Sequence, residues 1–199
     1  MSGGNVLRLG SDRKDGMPFG EKPALFLDRD GTLIVDTDFV RSPAEVALLP
    51  GAADAVARAN AAGWLTVVIT NQSGIARGIL SEGDYQLVAR ELERQLSASG
   101  ARLDLQLHCP HLPAISGPCE CRKPGLRLYR EAIARLGIDP AESWFIGDRL
   151  RDLVPARALG GRALHVLTGT RTEDTTITEA GFEQVTDLAA AVTQVLSAR

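Results

Sequence analysis

Short apolar, β-branched runs alternate with amphipathic segments along most of this chain, and that alternation constrains the fold more than any other feature. Residues 24–27, 65–70, 103–108, 143–146 and 163–166 read as strands, and 51–62, 82–98, 126–136, 150–159 and 188–197 read as helices. For the helix over 82–98, Ser81 is the expected N-cap, with Leu87, Leu92 and Leu96 on its buried face. Strand followed by helix, repeated, predicts an α/β fold: a Rossmann-like parallel sheet with helices on both faces. At 199 residues the chain has the size of one domain. Residues 1–22 are rich in Gly, Ser and charge without a sustained period, so they are expected to form a flexible N-terminal arm ahead of a domain over 23–199.

Several classes of function fall away on composition. With 22 basic against 25 acidic residues the net charge is −3, the wrong sign for a protein that grips a phosphate backbone, so no nucleic-acid partner is expected. No apolar run approaches the ~20 residues that span a bilayer. The first residues lack the apolar core of a signal peptide, which leads to the expectation of a cytoplasmic protein. A small, open and nearly neutral domain is further expected to act as a monomer.

In an open parallel sheet, ligands bind beyond the carboxyl ends of the strands, so the polar residues just after each apolar run carry the most information. Four such places are expected to converge: Asp28-Arg29-Asp30-Gly31-Thr32, Thr70-Asn71-Gln72-Ser73-Gly74, the loop of residues 109–123, and Gly147-Asp148. Asp28 and Asp30, one residue apart at a strand end, can turn toward one cavity, and two acids there need a cation or a proton between them. Phosphoryl transfer with a divalent metal fits: one carboxylate attacks phosphorus, the other manages the leaving group's proton, and Mg²⁺ offsets the negative charge. Asp148 would add a further oxygen ligand, in keeping with the preference of Mg²⁺ for a few carboxylates plus water and phosphate. An isolated aspartate after a strand is commonly only a turn residue or helix cap; the set of four strand ends is what favours chemistry.

The loop after the third strand holds all three cysteines, in Cys109-Pro110-His111 and Cys119-Glu120-Cys121, separated by seven residues. Cys109, His111, Cys119 and Cys121 supply four ligands for a closed tetrahedral shell, so a structural Zn²⁺ is expected, stiffening the loop and placing Arg122 and Lys123 behind it. His108 is an alternative donor, but its direction along the strand opposes Cys109, and it reads as an ordinary half-exposed residue. His165 reads as a core residue.

These residues together resemble the haloacid dehalogenase (HAD) superfamily of phosphohydrolases, whose four motifs are matched by FLDRDGT, VVITNQSG, the Lys of CRKPG, and FIGDRLRD. The resemblance implies that Asp28 is the nucleophile that forms an aspartyl-phosphate. Asp30 is then the acid that protonates the leaving oxygen and afterwards activates water, while Thr70 and Lys123 hold the transferring phosphoryl oxygens. It further implies Mg²⁺ bound by the Asp28 carboxylate, the Asp30 main-chain carbonyl and Asp148, with Asp152 steadying the metal's waters. No segment is long enough for more than a minimal cap, so discrimination falls to short loops. Arg122, with its planar fork of donors, is the side chain expected to read the substrate's distal phosphate or hydroxyls.

Within that superfamily, TNQSGIARG over 70–78 resembles the D-glycero-D-manno-heptose 1,7-bisphosphate 7-phosphatases, as do Val35-Asp36 and Phe39-Val40. By position, that family implies that Asp36, Thr37, Asp38, Phe39, Thr70, Asn71, Gln72, Ser73, Arg122 and Arg149 contact a small sugar phosphate. Four features depart from the family pattern: Phe39 replaces a usual Tyr, Asp38 a usual Gly and Arg149 a common Lys, and KPGL is shortened. The seven-residue gap in the cysteine loop is nearer the histidinol-phosphate phosphatases, so histidinol phosphate or another small phosphomonoester stays open as the alternative substrate. A third reading, a catalytically silent zinc-containing binding module, is opposed by the intact acidic and basic motif residues.

Overall fold

The structure is a computed structural model that describes residues 22–169 and 175–198; residues 1–21 of the expected arm lie outside the described residues. Lys22 already belongs to the fold, since its carbonyl accepts the Asp139 N–H at 2.9 Å. Six strands form one sheet: β1 Ala24–Leu27, β2 Leu65–Asn71, β3 Leu105–Cys109, β4 Trp144–Gly147, β5 Arg162–Val166 and β6 Glu183–Val185. The helices are α1 Ala52–Ala61, α2 Ser73–Ala76, α3 Glu82–Ala98, α4 Pro113–Ser116, α5 Arg127–Leu136, α6 Leu150–Leu159, α7 Thr175–Glu179 and α8 Leu188–Ser197.

Every strand pairing is parallel, in the order β3-β2-β1-β4-β5-β6. From β1 the chain runs outward to β2 and β3, then crosses back to lay β4 on the other side of β1. That reversal opens a crevice at the carboxyl ends of β1 and β4.

β1 is buried on both faces, as a central parallel strand must be. Leu25 and Leu27 share a core with α1, α3 and α8. Phe26 faces the other way, toward α5 and α6, with its ring 4.7 Å from Phe145 and 5.4 Å from Tyr129. The two-residue period of the strand thus feeds two hydrophobic layers, one on each face.

Ser81 caps α3 as expected: its Oγ accepts the Asp84 N–H at 3.1 Å while the Asp84 carboxylate accepts the Ser81 N–H at 2.7 Å. The buried stripe is Tyr85, Val88, Ala89, Leu92 and Leu96. Leu87, expected on that face, is instead exposed; it lies five residues from Leu92, about 140° around the helix. β3 starts at Leu105, not at residue 103, and runs one residue further, ending on Cys109. The short elements α2, α4, α7 and β6 have no counterpart in the sequence reading. Among the described residues no helix is long and apolar enough to cross a membrane.

Candidate active site

Three acids reach the crevice from three elements. Asp28 follows β1 directly, Asp148 follows β4, and Asp152 sits in the first turn of α6. All three are buried, and one carboxylate oxygen from each lies within 4.8 Å of the others. Backbone without side chains makes this approach possible. Gly31 turns the chain at φ +80°, and a Cβ there would stand 2.8 Å from Asp148 Oδ2. A Cβ on Gly169 would collide with the same carboxylate, and one on Gly147 with Asp152.

Neither oxygen of Asp148 has a hydrogen-bond partner, although both are buried. Its nearest cation is Arg149 Nε at 3.4 Å. Burial, then the charges of Asp28 and Asp152, push Asp148 up to about 8. His165, fully buried as expected, places Nε2 3.0 Å from the Asp148 carbonyl and so fixes the main chain behind the acid. A buried cluster of hard oxygens with two orphaned lone-pair sites suits a small divalent cation.

Lys123 is the buried cation of the cluster. Its Nζ lies 2.7 Å from Asp28 Oδ1, 2.7 Å from Asp152 Oδ1 and 2.6 Å from the Ile69 carbonyl. Burial works against its charge, yet Asp152 and Asp28 hold its pKa above the ordinary lysine value. Asn71, at the end of β2, latches the lysine's backbone: Lys123 N–H donates to Asn71 Oδ1 at 2.9 Å, and Asn71 Nδ2 donates to the Lys123 carbonyl at 3.3 Å. Thr70, beside it, is buried, and its Oγ1 accepts from Gln72 Nε2 at 2.8 Å.

Asp30 stands apart from this cluster. The sequence placed a cation or a proton between these two carboxylates; in the structure each has a partner of its own. Asp28 takes Lys123, and the Asp30 carboxylate takes the Arg29 guanidinium and the Gln72 amide.

The loop after β3 brings Cys109, His111, Cys119 and Cys121 together, with their ligand atoms within 4.8 Å of one another. The Cys109 sulfur is 3.8 Å from that of Cys119 and 2.9 Å from that of Cys121, and His111 Nδ1 is 3.1 Å from Cys121 Sγ. Burial and the neighbouring Cys121 raise the Cys109 thiol well above its ordinary pKa, while Cys119 is lowered. Three thiols and an imidazole converging at one point fit a thiophilic cation such as Zn²⁺. His108 is not part of the group: its ring stacks on Tyr85 at 3.9 Å, and Nε2 lies 3.0 Å from Glu82.

Around the crevice lie Asp36, Asp38, Phe39, Thr70, Asn71, Gln72, Ser73, Arg122 and Arg149. Thr37, expected among them, is exposed and does not line the cleft. Asp36 Oδ2 meets Arg149 Nη2 at 2.9 Å, tying the loop after β1 to the end of β4. Asp38 adopts φ +71°, a left-handed conformation that explains why glycine is usual there and that aspartate tolerates. Arg122 Nη1 donates to the His111 carbonyl at 3.1 Å, so the cysteine loop itself orients this arginine.

The sequence reading missed Arg29, Arg77 and Arg151, which also line the cleft. Arg77 follows the TNQSG turn, and Arg151 lies in the first turn of α6, positions from which a signal could have been drawn. Arg29 gave none, because residues adjacent in a strand ordinarily point to opposite faces.

A family model described as HAD-hydrolase-like matches residues 120–191, and the crevice, the buried acid trio and the lysine define the same class. The D-glycero-β-D-manno-heptose-1,7-bisphosphate 7-phosphatase of Haemophilus ducreyi is 40% identical over 144 residues, 70% of this chain and 79% of that protein. Its counterpart from Bordetella bronchiseptica is 38% identical over 177 residues, 86% of this chain and 97% of that protein. The crystal structure of D,D-heptose 1,7-bisphosphate phosphatase from B. bronchiseptica, complexed with magnesium and phosphate, superposes with a TM-score of 0.80 at 36% identity, covering 89% of this chain and 99% of that one. The chain therefore belongs to the HAD-like hydrolases and, within them, to the D-glycero-β-D-manno-heptose-1,7-bisphosphate 7-phosphatase family.

Proposed function

We infer that the chain is a Mg²⁺-dependent phosphoric monoester hydrolase that removes the C7 phosphate of D-glycero-β-D-manno-heptose 1,7-bisphosphate and leaves the sugar 1-phosphate. The observation that carries this reading is the buried trio of Asp28, Asp148 and Asp152, with the two unpartnered oxygens of Asp148, set against Lys123 at the switch point of the sheet. Asp28, Asp148 and the Asp30 carbonyl would hold Mg²⁺, with Asp152 beside them, and the ion would supply charge compensation for the phosphoryl oxygens.

Asp28 attacks phosphorus, forming a carboxylate–phosphorus bond as the bond to the C7 oxygen breaks. The electron pair leaves on that oxygen, which takes a proton from Asp30. Water then attacks the aspartyl-phosphate and gives a proton to Asp30, so the Asp28 carboxylate and inorganic phosphate are released. Lys123 offsets charge on Asp28 and on the transferring group, and the Thr70 hydroxyl is a donor to the same oxygens. Asp36, Asp38, Phe39, Asn71, Gln72, Ser73, Arg122 and Arg149 frame the sugar and its second phosphate, with Thr37 at the outer edge.

The cysteine loop is read as a structural Zn²⁺ site held by Cys109, His111, Cys119 and Cys121. A thiolate shell of this kind suits a reducing compartment, in line with a cytoplasmic enzyme. The decisive assay compares phosphate release from both anomers of the heptose bisphosphate and from histidinol phosphate, each with and without Mg²⁺. The reading requires magnesium-dependent release of one phosphate from the bisphosphate with clear preference over histidinol phosphate; the reverse preference would overturn the substrate, and metal-independent release would overturn the site.

A further inference from the structure

Arg29 stands between the two aspartates of the strand-end motif and is the largest fully buried side chain among the described residues, at 1% exposure. A guanidinium so deep in the protein is costly to desolvate, and an aspartate at the cleft edge needs no such partner merely to be stable. Its geometry is specific. Nε lies 3.1 and 3.2 Å from the two oxygens of Asp30, and Nη2 lies 2.8 Å from Oδ1, so the fork fixes the plane of the carboxylate. Gln72 Nε2 pins Oδ2 at 2.9 Å from the carboxyl end of the neighbouring strand β2, and Gln72 is itself held by Thr70.

The arginine is in turn fixed from behind. Its guanidinium carbon lies 5.7 Å from the centre of the Tyr85 ring, and that ring is stacked on His108, which meets Glu82. Its carbonyl accepts the N–H groups of Leu33 and Ile34 at 2.9 and 3.0 Å, fastening it to the turn that leaves β1.

We propose that Arg29 is a positioning residue for the reaction: its fork, braced by Tyr85, holds the Asp30 carboxylate in the one orientation from which it hands a proton to the leaving oxygen and takes one back from water. The inference rests on the reading of Asp30 as the proton-transfer group, and the test separates the two. Arg29→Met removes the fork while keeping an unbranched side chain, and Arg29→Lys keeps the charge but cannot present two parallel donors. Asp30→Asn serves as the reference.

Each variant is assayed on the heptose bisphosphate, whose leaving alkoxide needs a proton, and on p-nitrophenyl phosphate, whose leaving group does not. Loss of the fork should lower kcat on the sugar ester by about 10²-fold with KM within about 3-fold, and Arg29→Lys should recover only part of it. On the aryl ester, turnover should also slow, because water activation suffers, but the initial burst of nitrophenol, one per active site, should survive in both Arg29 variants. If the aryl ester also loses its burst, or if kcat on the sugar ester is unchanged, Arg29 does not position Asp30. If Arg29→Met does not fold, Arg29→Lys alone decides by the same comparison. Should Asp30→Asn retain full activity on the sugar ester, the reading of Asp30 itself fails, which is distinguishable because that reference is independent of Arg29.

Discussion

Asp28 and Asp148 carry opposite burdens at this site. Asp28 is offset by Lys123 at 2.7 Å, whereas Asp148 is buried beside two other acids without a hydrogen bond to either oxygen. Replacing Asp28 by Asn removes the nucleophile at constant volume and relieves like-charge repulsion in the trio. Turnover should fall by at least about 10³-fold, while calorimetry of the metal-free protein should find a melting temperature equal to or above the parent's. A lower melting temperature would mean that the Lys123 pair outweighs the repulsion.

Protonation of Asp148 gives a second expectation. Its folded pKa of about 8 lies above that of an unfolded aspartate, so the folded state holds the extra proton through the window between them. The group's contribution to metal-free stability therefore declines as pH rises toward 8. Because Mg²⁺ competes with that proton, saturating Mg²⁺ should raise the melting temperature more at about pH 8.5 than at about pH 6. Thermal melts at the two pH values check this, and an equal shift at both would contradict it.

At the scale of elements, the site depends on short pieces that hold one another. Asn71, at the end of β2, clamps the Lys123 backbone through two hydrogen bonds. Asn71→Ala should cost about 1–3 kcal/mol, measured by chemical denaturation, with activity lowered because the lysine loop loses its register. The cysteine loop acts on the same lysine from the other side. Elemental analysis should find about one zinc per chain, and Cys119→Ser should lose the metal and most of the activity together. A zinc-free protein with full activity would leave the loop without the positioning role assigned to it. Gly74, the second residue of α2, is close to Leu80 and Phe39, and any Cβ there would collide with both. Gly74→Ala should therefore destabilise by about 1–3 kcal/mol and shift Phe39, which is read as KM rising more than kcat falls.

These elements also mark where the sequence was readable. β1, β2 and β4 announce themselves because both faces are buried, so apolar residues run without interruption into a sudden polar end. β6 does not, since Glu183 and Gln184 are exposed and only Val185 is partly covered on an edge strand of three residues. Leu87 was misplaced because α3 carries more leucines than its core stripe uses.

For the whole molecule, the order of the strands explains why Asp28 and Asp152 meet although 124 positions separate them. The crossover from β3 back to β4 places Asp148 and Asp152 next to Asp28, and the loop between brings Lys123 into the same crevice. The convergence of four strand ends was legible from alternation alone, because a parallel sheet puts all such ends at one rim. What sequence could not give was partnership: Asp152 as a full member of the trio, Arg29 beside the Asp30 carboxylate, and Arg77 and Arg151 on the cleft wall. Those depend on side-chain directions fixed by packing rather than by spacing.

The central claim is that Asp28 becomes covalently phosphorylated inside this magnesium-binding trio. Acid quenching during turnover of heptose 1,7-bisphosphate, followed by mass spectrometry of the peptide that contains Asp28, tests it most directly. The expected result is a phosphate on Asp28 that forms only with Mg²⁺ and is absent from Asp28→Asn; turnover with no label on that peptide, or with the label on another residue, would contradict the account.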